Sequence, residues 1–173
     1  MAKIEFLVPK ILKWEGGFVN HPNDKGGATN KGITIGTCTY YRKLKGLPQP
    51  SVNDLKNISN EEWMDVLKTL YWDKWKADLI NNQSIANLLV DWVWGSGSYG
   101  IKYPQQVLGV VADGIVGKKT LAAVNEYPDQ KELFQKLWDR RKQHFESIAQ
   151  HNPSQKVFLK GWLNRLNDYR YEE

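Results

Sequence analysis

The sequence EGGFVN occupies residues 15–20, and DKGGATNKGIT follows at residues 24–34. Across residues 18–39 the helical period of apolar residues is absent, and glycine, asparagine and proline recur, while residues 33–35 resemble a short strand. About twenty irregular residues inside a compact chain usually either serve a function or reflect a wrong assignment of elements, and we take the functional interpretation. We therefore predict a loop with a small β-hairpin at this point, and we expect it to carry the functional site.

The segment before this loop has the pattern of an amphipathic helix. Its apolar residues recur at helical spacing at Ile4, Leu7, Val8, Ile11 and Leu12. Glu15 is the next position on that apolar stripe, and two glycines then end the helix. Pro9 either kinks this helix or marks the true start of its second half.

Helical patterns dominate the rest of the chain. Ser59 and Glu62 have the spacing of a capping box that leads into an apolar helical stripe. Further helical patterns cover residues 85–93, 105–108, 118–124, 134–148 and 157–169. We predict a mainly α-helical fold with a minor β element.

Composition excludes several classes of protein. With 173 residues, 41% of them apolar, the chain is long enough to bury a core. The net charge of +5 favours an anionic partner, but the basic residues are dispersed, so we expect no nucleic acid. A single cysteine, Cys38, excludes an intrachain disulfide. No metal-ligand spacing or nucleotide loop occurs, and we predict no metal and no cofactor.

Two carboxyl groups near the hairpin have contrasting surroundings. Glu15 lies on an apolar stripe at a helix C-terminus, where desolvation and the helix dipole both favour its protonated form. Asp24 lies in a polar, glycine-rich loop that favours an ionised carboxylate. Glycoside hydrolysis uses such a pair, one group as the general acid and the other to hold water or stabilise positive charge.

These motifs resemble the signature of the glycoside hydrolase family 108 muramidases. The resemblance rests on E-G-G at residues 15–17 and on D-x-G-G-x-T-x-x-G-I-T at residues 24–34. It continues through Tyr71-Trp72, Asp91, the turn at residues 113–117 and residues 158–165, and so covers nearly the whole chain. One departure is His21, where the family commonly has an aspartate before the proline.

The resemblance implies a lysozyme-like fold that hydrolyses the β-1,4 bond between N-acetylmuramic acid and N-acetylglucosamine. Glu15 matches the catalytic glutamate of the family. The order Glu, Asp, Thr also resembles that of phage-type lysozymes, which implies that Asp24 and Thr29 hold the attacking water, with Thr34 as the competitor for the threonine role.

The resemblance also divides the chain into a catalytic lobe at residues 1–95 and a helical lobe at residues 96–173. The second lobe resembles a peptidoglycan-binding region and is expected to pack with the first as one unit. Its Asp113 turn is interpreted either as a substrate contact or as a simple connector. Trp72 and Trp94 are the tryptophans that we expect at a sugar-binding groove.

Three alternatives remain open. A lytic transglycosylase needs only the glutamate, a chitinase would cut a related polymer, and a noncatalytic wall-binding or secretion-associated protein could use the same scaffold. We expect a monomer whose partner is bacterial peptidoglycan. The N-terminus lacks the pattern of a signal peptide, and no apolar run could span a membrane. A chain made in the cytoplasm would then reach the wall through a phage holin or another export system.

Overall fold

A computed structural model describes residues 1–21 and 26–173 of the chain. Within these residues the fold is mainly helical with one short antiparallel hairpin, as predicted. The chain divides into two compact units. The N-terminal unit is Glu5–Asp73, and the C-terminal unit combines Met1–Ile4 with Lys74–Glu173.

The first α-helix, α1, spans Val8–Trp14 and follows a 3₁₀ turn at Ile4–Phe6. Pro9 lies in the first turn of α1, where its missing N–H interrupts no helical hydrogen bond. Of the two interpretations of Pro9, the structure supports the one in which it marks the true start of the helix. Ile4, Leu7 and Ile11 are buried, so these members of the predicted apolar stripe face the core, whereas Leu12 is exposed.

The predicted hairpin consists of β1 (Thr29–Asn30) and β2 (Ile33–Thr34), with Thr29 directly opposite Thr34. The second helix, α2 (Ile35–Leu44), begins immediately after β2. The hydroxyl of Thr34 caps α2 by accepting a hydrogen bond from the backbone N–H of Thr37 at 3.1 Å. The irregular region therefore ends at Thr34, earlier than the predicted residue 39.

Two shorter helices complete the N-terminal unit, α3 (Val52–Lys56) and α4 (Asn60–Leu67). Ser59 caps α4, as predicted, by accepting from the backbone N–H of Glu62 at 3.0 Å. The Glu62 carboxylate accepts from the guanidinium of Arg42 on α2 at 2.9 Å. A π-helical turn at Lys68–Trp72 extends α4.

Helices form the C-terminal unit, and four of the predicted helical patterns fall within them, whereas the pattern at residues 157–169 begins in a 3₁₀ turn and runs two residues past the last helix. They are α5 (Gln83–Ser96), α6 (Tyr99–Leu108), α7 (Lys118–Asn125), α8 (Gln130–His151) and α9 (Leu159–Asn167), with 3₁₀ turns at Ala77–Leu79 and Pro153–Phe158. Helix α5 is the centre of this unit, because every residue from Ser84 to Val93 is buried. At Gly100 a Cβ atom would collide with the backbone of Trp92 and Val93, so this glycine permits the close approach of α6 to α5.

A buried ion-pair cluster joins three helices of the C-terminal unit. The carboxylate of Asp91 on α5 is fully buried and accepts from Arg141 on α8 at 2.9 Å and from Arg165 on α9 at 2.6 Å. Burial alone would raise the pKa of Asp91, but the two guanidinium groups lower it below its ordinary value. The cluster therefore holds an ionised carboxylate inside the helical core.

The boundary between the compact units differs in position from the predicted lobe boundary after residue 95. Helix α5 packs with the C-terminal unit, because it lies against α6 and α8. Among the described residues, no helix has the length and hydropathy needed to cross a membrane.

Candidate active site

Glu15 lies at the point where α1 ends. The helix stops at Trp14, and Glu15 is its C-cap with an extended backbone (φ −91°, ψ 137°). Its backbone N–H still donates to the carbonyl of Ile11 at 3.2 Å, so the helix fixes the position of Glu15 while the chain after it leaves the helix axis. The side chain of Glu15 is half-buried. A carboxyl group in this position is partly shielded from water and still accessible to a substrate.

The chain after Glu15 runs beside the hairpin. The carbonyl of Gly16 accepts from the backbone N–H of Lys31 at 3.0 Å. Val19 and Thr29 exchange two backbone hydrogen bonds of 2.8 Å each. Backbone hydrogen bonds thus join the segment that follows Glu15 to the hairpin within the N-terminal unit.

Two side chains anchor the hairpin to the helices of the same unit. The buried amide of Asn30 donates to the carbonyls of Leu55 and Lys56 at 2.9 and 3.1 Å, near the end of α3. The indole of Trp63 donates to the carbonyl of Lys31 at 2.9 Å. Both anchors tie the hairpin to helices α3 and α4 of the N-terminal unit through hydrogen bonds between a side chain and the backbone.

The hairpin turn itself needs a left-handed backbone. Lys31 has a φ of 50° and Gly32 a φ of 83°. The second position suits glycine, whereas the lysine adopts a conformation that is uncommon for a residue with a Cβ atom. The anchor from Trp63 to the carbonyl of Lys31 helps to hold this turn.

Thr29 and Thr34 lie on one face of the hairpin, because residues directly opposite each other in a ladder point the same way. The Thr34 hydroxyl caps α2 and also donates to the hydroxyl of Thr37 at 3.0 Å. The Thr34 hydroxyl therefore has a structural role as the N-cap of α2, a position that Thr29 does not occupy. Asp24, the second predicted carboxylate, lies outside the described residues.

The two predicted groove tryptophans have different surroundings. Trp72 is fully buried and exposes no ring face to a sugar, so its assignment to a groove is wrong. The π-helical turn accounts for this, because Trp72 follows the buried Leu67 by five residues and a π-turn places such residues on the same side. Trp94 is half-buried in the last turn of α5 and retains some exposed surface.

Asp113 is exposed, and its carboxylate shapes a loop in the C-terminal unit. It accepts from the backbone N–H of Ile115 at 2.9 Å and from the amide of Gln105 at 3.2 Å, and these bonds lower its pKa. The fully buried Gln105 also donates to Thr120 and accepts from the N–H of Gly114. The turn is thus a preorganised loop fastened to α6, which sequence reasoning did not detect.

Within residues 1–21 and 26–173, no group of three or more His, Cys, Asp or Glu side chains is arranged to hold a metal ion. Among these described residues, the N-terminal unit brings together the half-buried carboxyl of Glu15 and the hairpin face that carries the Thr29 and Thr34 hydroxyls. These groups can exchange a proton and position a water molecule by acid–base chemistry.

Comparison with known families and structures shows which proteins the chain resembles. The model of the family described as glycosyl hydrolase 108 matches residues 8–97, and a predicted peptidoglycan domain matches residues 99–167. No curated protein matches the chain. A solved structure described as that of Brucella abortus SagA is similar, with 30% identity and a TM-score of 0.79, covering 96% of this chain and 91% of that one.

These findings fix the class of the protein. The fold is lysozyme-like, as expected. A glycosyl hydrolase region followed by a peptidoglycan region supports a hydrolase that acts on peptidoglycan. On the strength of the family match and of the similarity over nearly its whole length, the chain belongs to the glycosyl hydrolase 108 family.

Proposed function

We propose that the protein is an N-acetylmuramidase that hydrolyses the β-1,4 bond between N-acetylmuramic acid and N-acetylglucosamine, with Glu15 as the general acid. The observation that carries the proposal is the position of Glu15 as a half-buried helix cap beside the hairpin. The hydrogen bond between Lys31 and Gly16 ties this position to the strand that carries Thr29.

In the proposed reaction, the protonated Glu15 carboxyl donates its proton to the glycosidic oxygen as the carbon–oxygen bond breaks. The sugar ring then carries positive charge, as in other glycoside hydrolyses. We assign to Asp24 and Thr29 the orientation of the water molecule that attacks this ring, and the Asp24 carboxylate accepts the proton that the water loses. Thr34 is the weaker candidate, because its hydroxyl caps α2 and contacts Thr37.

The rigid hairpin supports this assignment. A water-holding group must keep its position to within a fraction of an ångström, and such precision comes from supporting contacts behind the reacting groups. Asn30 and Trp63 supply these contacts for the hairpin. We therefore expect variants of the two anchors to impair the reaction although neither residue would touch the substrate.

The test compares wild type with Glu15→Gln in the release of dye from labelled sacculi. Loss of a general acid lowers the rate by about a hundredfold to ten-thousandfold. Glu61→Gln is the matched control, because it removes an exposed carboxylate from α4 in the same unit. It should retain the wild-type rate. Both variants should still sediment with sacculi, and a Glu15→Gln variant that releases dye at the wild-type rate would refute the proposal.

A further inference from the structure

Two neighbouring cavities open in the C-terminal unit, between α8 and the segment from the end of α5 through α6. Their volumes are about 350 and 360 Å³, and Tyr103, His144 and Ser147 line both of them. Each volume lies in the range of roughly 300 to 1,000 Å³ that is usual for small-molecule sites. Since they share three side chains, the cavities form one continuous depression.

Aromatic rings form one wall of this depression. Tyr99 is 52% exposed and stacks on Tyr103, with ring centroids 5.4 Å apart and an angle of 17° between the planes. The guanidinium of Arg140 lies 3.9 Å from the centre of the Tyr103 ring, and the edge of His144 meets the same ring at 4.7 Å. Tyr103 is thereby held in place, while Tyr99 presents a supported ring to the solvent.

His144 contributes a neutral donor to this wall. The indole of Trp92 can only donate, and it contacts Nδ1 of His144 at 3.4 Å, so the imidazole proton resides on Nε2. Burial and the neighbouring Arg140 and Arg141 lower the pKa of His144 to about 4, which keeps the ring uncharged near neutral pH. A buried, neutral N–H donor beside exposed aromatic surface suits a ligand rich in hydroxyl and amide groups.

Further side chains that line the first cavity are also polar and neutral. Ser96, Ser147 and Asn152 offer hydroxyl and amide groups, and its lining contains no carboxylate, lysine or arginine. The charged residues Arg140 and Glu146 line only the second cavity, so a charged ligand would find no counter-charge in the first one. A sugar ring in the first cavity could stack on Tyr99 and exchange hydrogen bonds with the polar groups.

We propose that this depression is a saccharide-binding subsite that takes an N-acetylated hexosamine ring of a glycan strand. The choice of an N-acetylated sugar rests on the proposed muramidase function, and the stacking surface is Tyr99. The subsite lies wholly within the C-terminal unit, whereas the candidate acid Glu15 belongs to the N-terminal unit.

The test titrates the full-length Glu15→Gln protein with the trimer of N-acetylglucosamine and follows the NMR signals of the Trp92 indole N–H and the His144 ring. These signals report on the depression itself. We expect saturable shifts. Tyr99→Ala should weaken the fitted affinity about tenfold, which equals about 1.4 kcal/mol. Tyr99→Phe keeps the ring and should bind as Glu15→Gln does, and so should Tyr127→Ala, which removes a tyrosine outside both cavities.

Asn152→Ala provides a second variant at an exposed position and should weaken binding about threefold. Shifts that fail to saturate, or equal affinities for the Tyr99→Ala and Tyr127→Ala proteins, would overturn the subsite. Dye release by the protein with Glu15 intact is measured separately. Release without the NMR shifts would overturn the subsite alone, whereas shifts without release would overturn the muramidase and leave the subsite in place.

Discussion

Asp91→Asn should destabilise the C-terminal unit strongly. The substitution preserves the size of the side chain but removes the negative charge between Arg141, which is 2% exposed, and Arg165, which is 18% exposed. Two partly or fully desolvated guanidinium groups would then face each other without a counter-ion. Breaking a buried ion pair in this way reduces the free energy of unfolding by about 3–5 kcal/mol. Urea unfolding at pH 7, followed by circular dichroism, measures this loss.

The matched control is Asp73→Asn. Asp73 also forms an ion pair, with Lys68 at 3.0 Å, but both side chains are nearly half exposed. Such a pair contributes about 0–1 kcal/mol. Equal losses for the two variants would show that the buried cluster does not stabilise the fold as the structure indicates.

The effect of pH on the Asp91 variant has a definite sign. The folded-state pKa of Asp91 is lowered, so its contribution to stability is present above its unfolded pKa of about 4 and is lost as the pH falls further. The difference between wild type and Asp91→Asn should therefore shrink below about pH 4. A difference that grows in acid would contradict this reasoning.

Four further predictions concern the two hairpin threonines, the aromatic cluster and the loop that Gln105 fastens to α6. Thr29→Val should lower the rate of wall hydrolysis about tenfold at unchanged stability. Thr34→Val should instead lose about 1 kcal/mol of unfolding free energy with its helix cap. Since burial lowers the pKa of His144 to about 4, the unfolded chain gains that proton first as the pH falls. Wild type should therefore lose about 3 kcal/mol between about pH 7 and pH 4 that His144→Phe does not lose, and equal pH slopes in urea unfolding would contradict this. Gln105→Ala should lower the free energy of unfolding by about 1–3 kcal/mol and weaken sedimentation with sacculi. Unaltered sedimentation would indicate that the loop only connects α6 to α7.

The parts of the fold that local signals determine could be predicted from the sequence. Ser59 begins α4 because its hydroxyl satisfies a free N–H at the helix start, which requires only residues three positions apart. The hairpin at Ile33–Thr34 was predicted from its β-branched residues. Helix α2 was missed, because its first residues include Gly36 and threonines that resemble a loop, and the cap at Thr34 is visible only in the structure.

The parts that depend on distant partners could not be predicted. Asn30 has the features of an ordinary turn residue, yet its amide is buried against α3, 25 positions further along the chain. The same holds for Gln105, whose partners lie in the loop that it shapes. Trp72 was assigned to a groove because it stands beside Asp73, and the sequence does not reveal the π-turn at whose end it is buried. Glu15, by contrast, was predicted from its stripe, and the structure does place it at the helix end.

The proposed function requires Glu15 to act as the acid when the bond between N-acetylmuramic acid and N-acetylglucosamine is cleaved. Mass spectrometry of the fragments released from purified sacculi by wild type and by Glu15→Gln tests it most directly. We expect fragments with reducing N-acetylmuramic acid ends from wild type and none from the variant. Anhydro ends would indicate a lytic transglycosylase, reducing N-acetylglucosamine ends would indicate cleavage of the other bond, and no fragments from a folded, wall-bound wild type would contradict an enzymatic role.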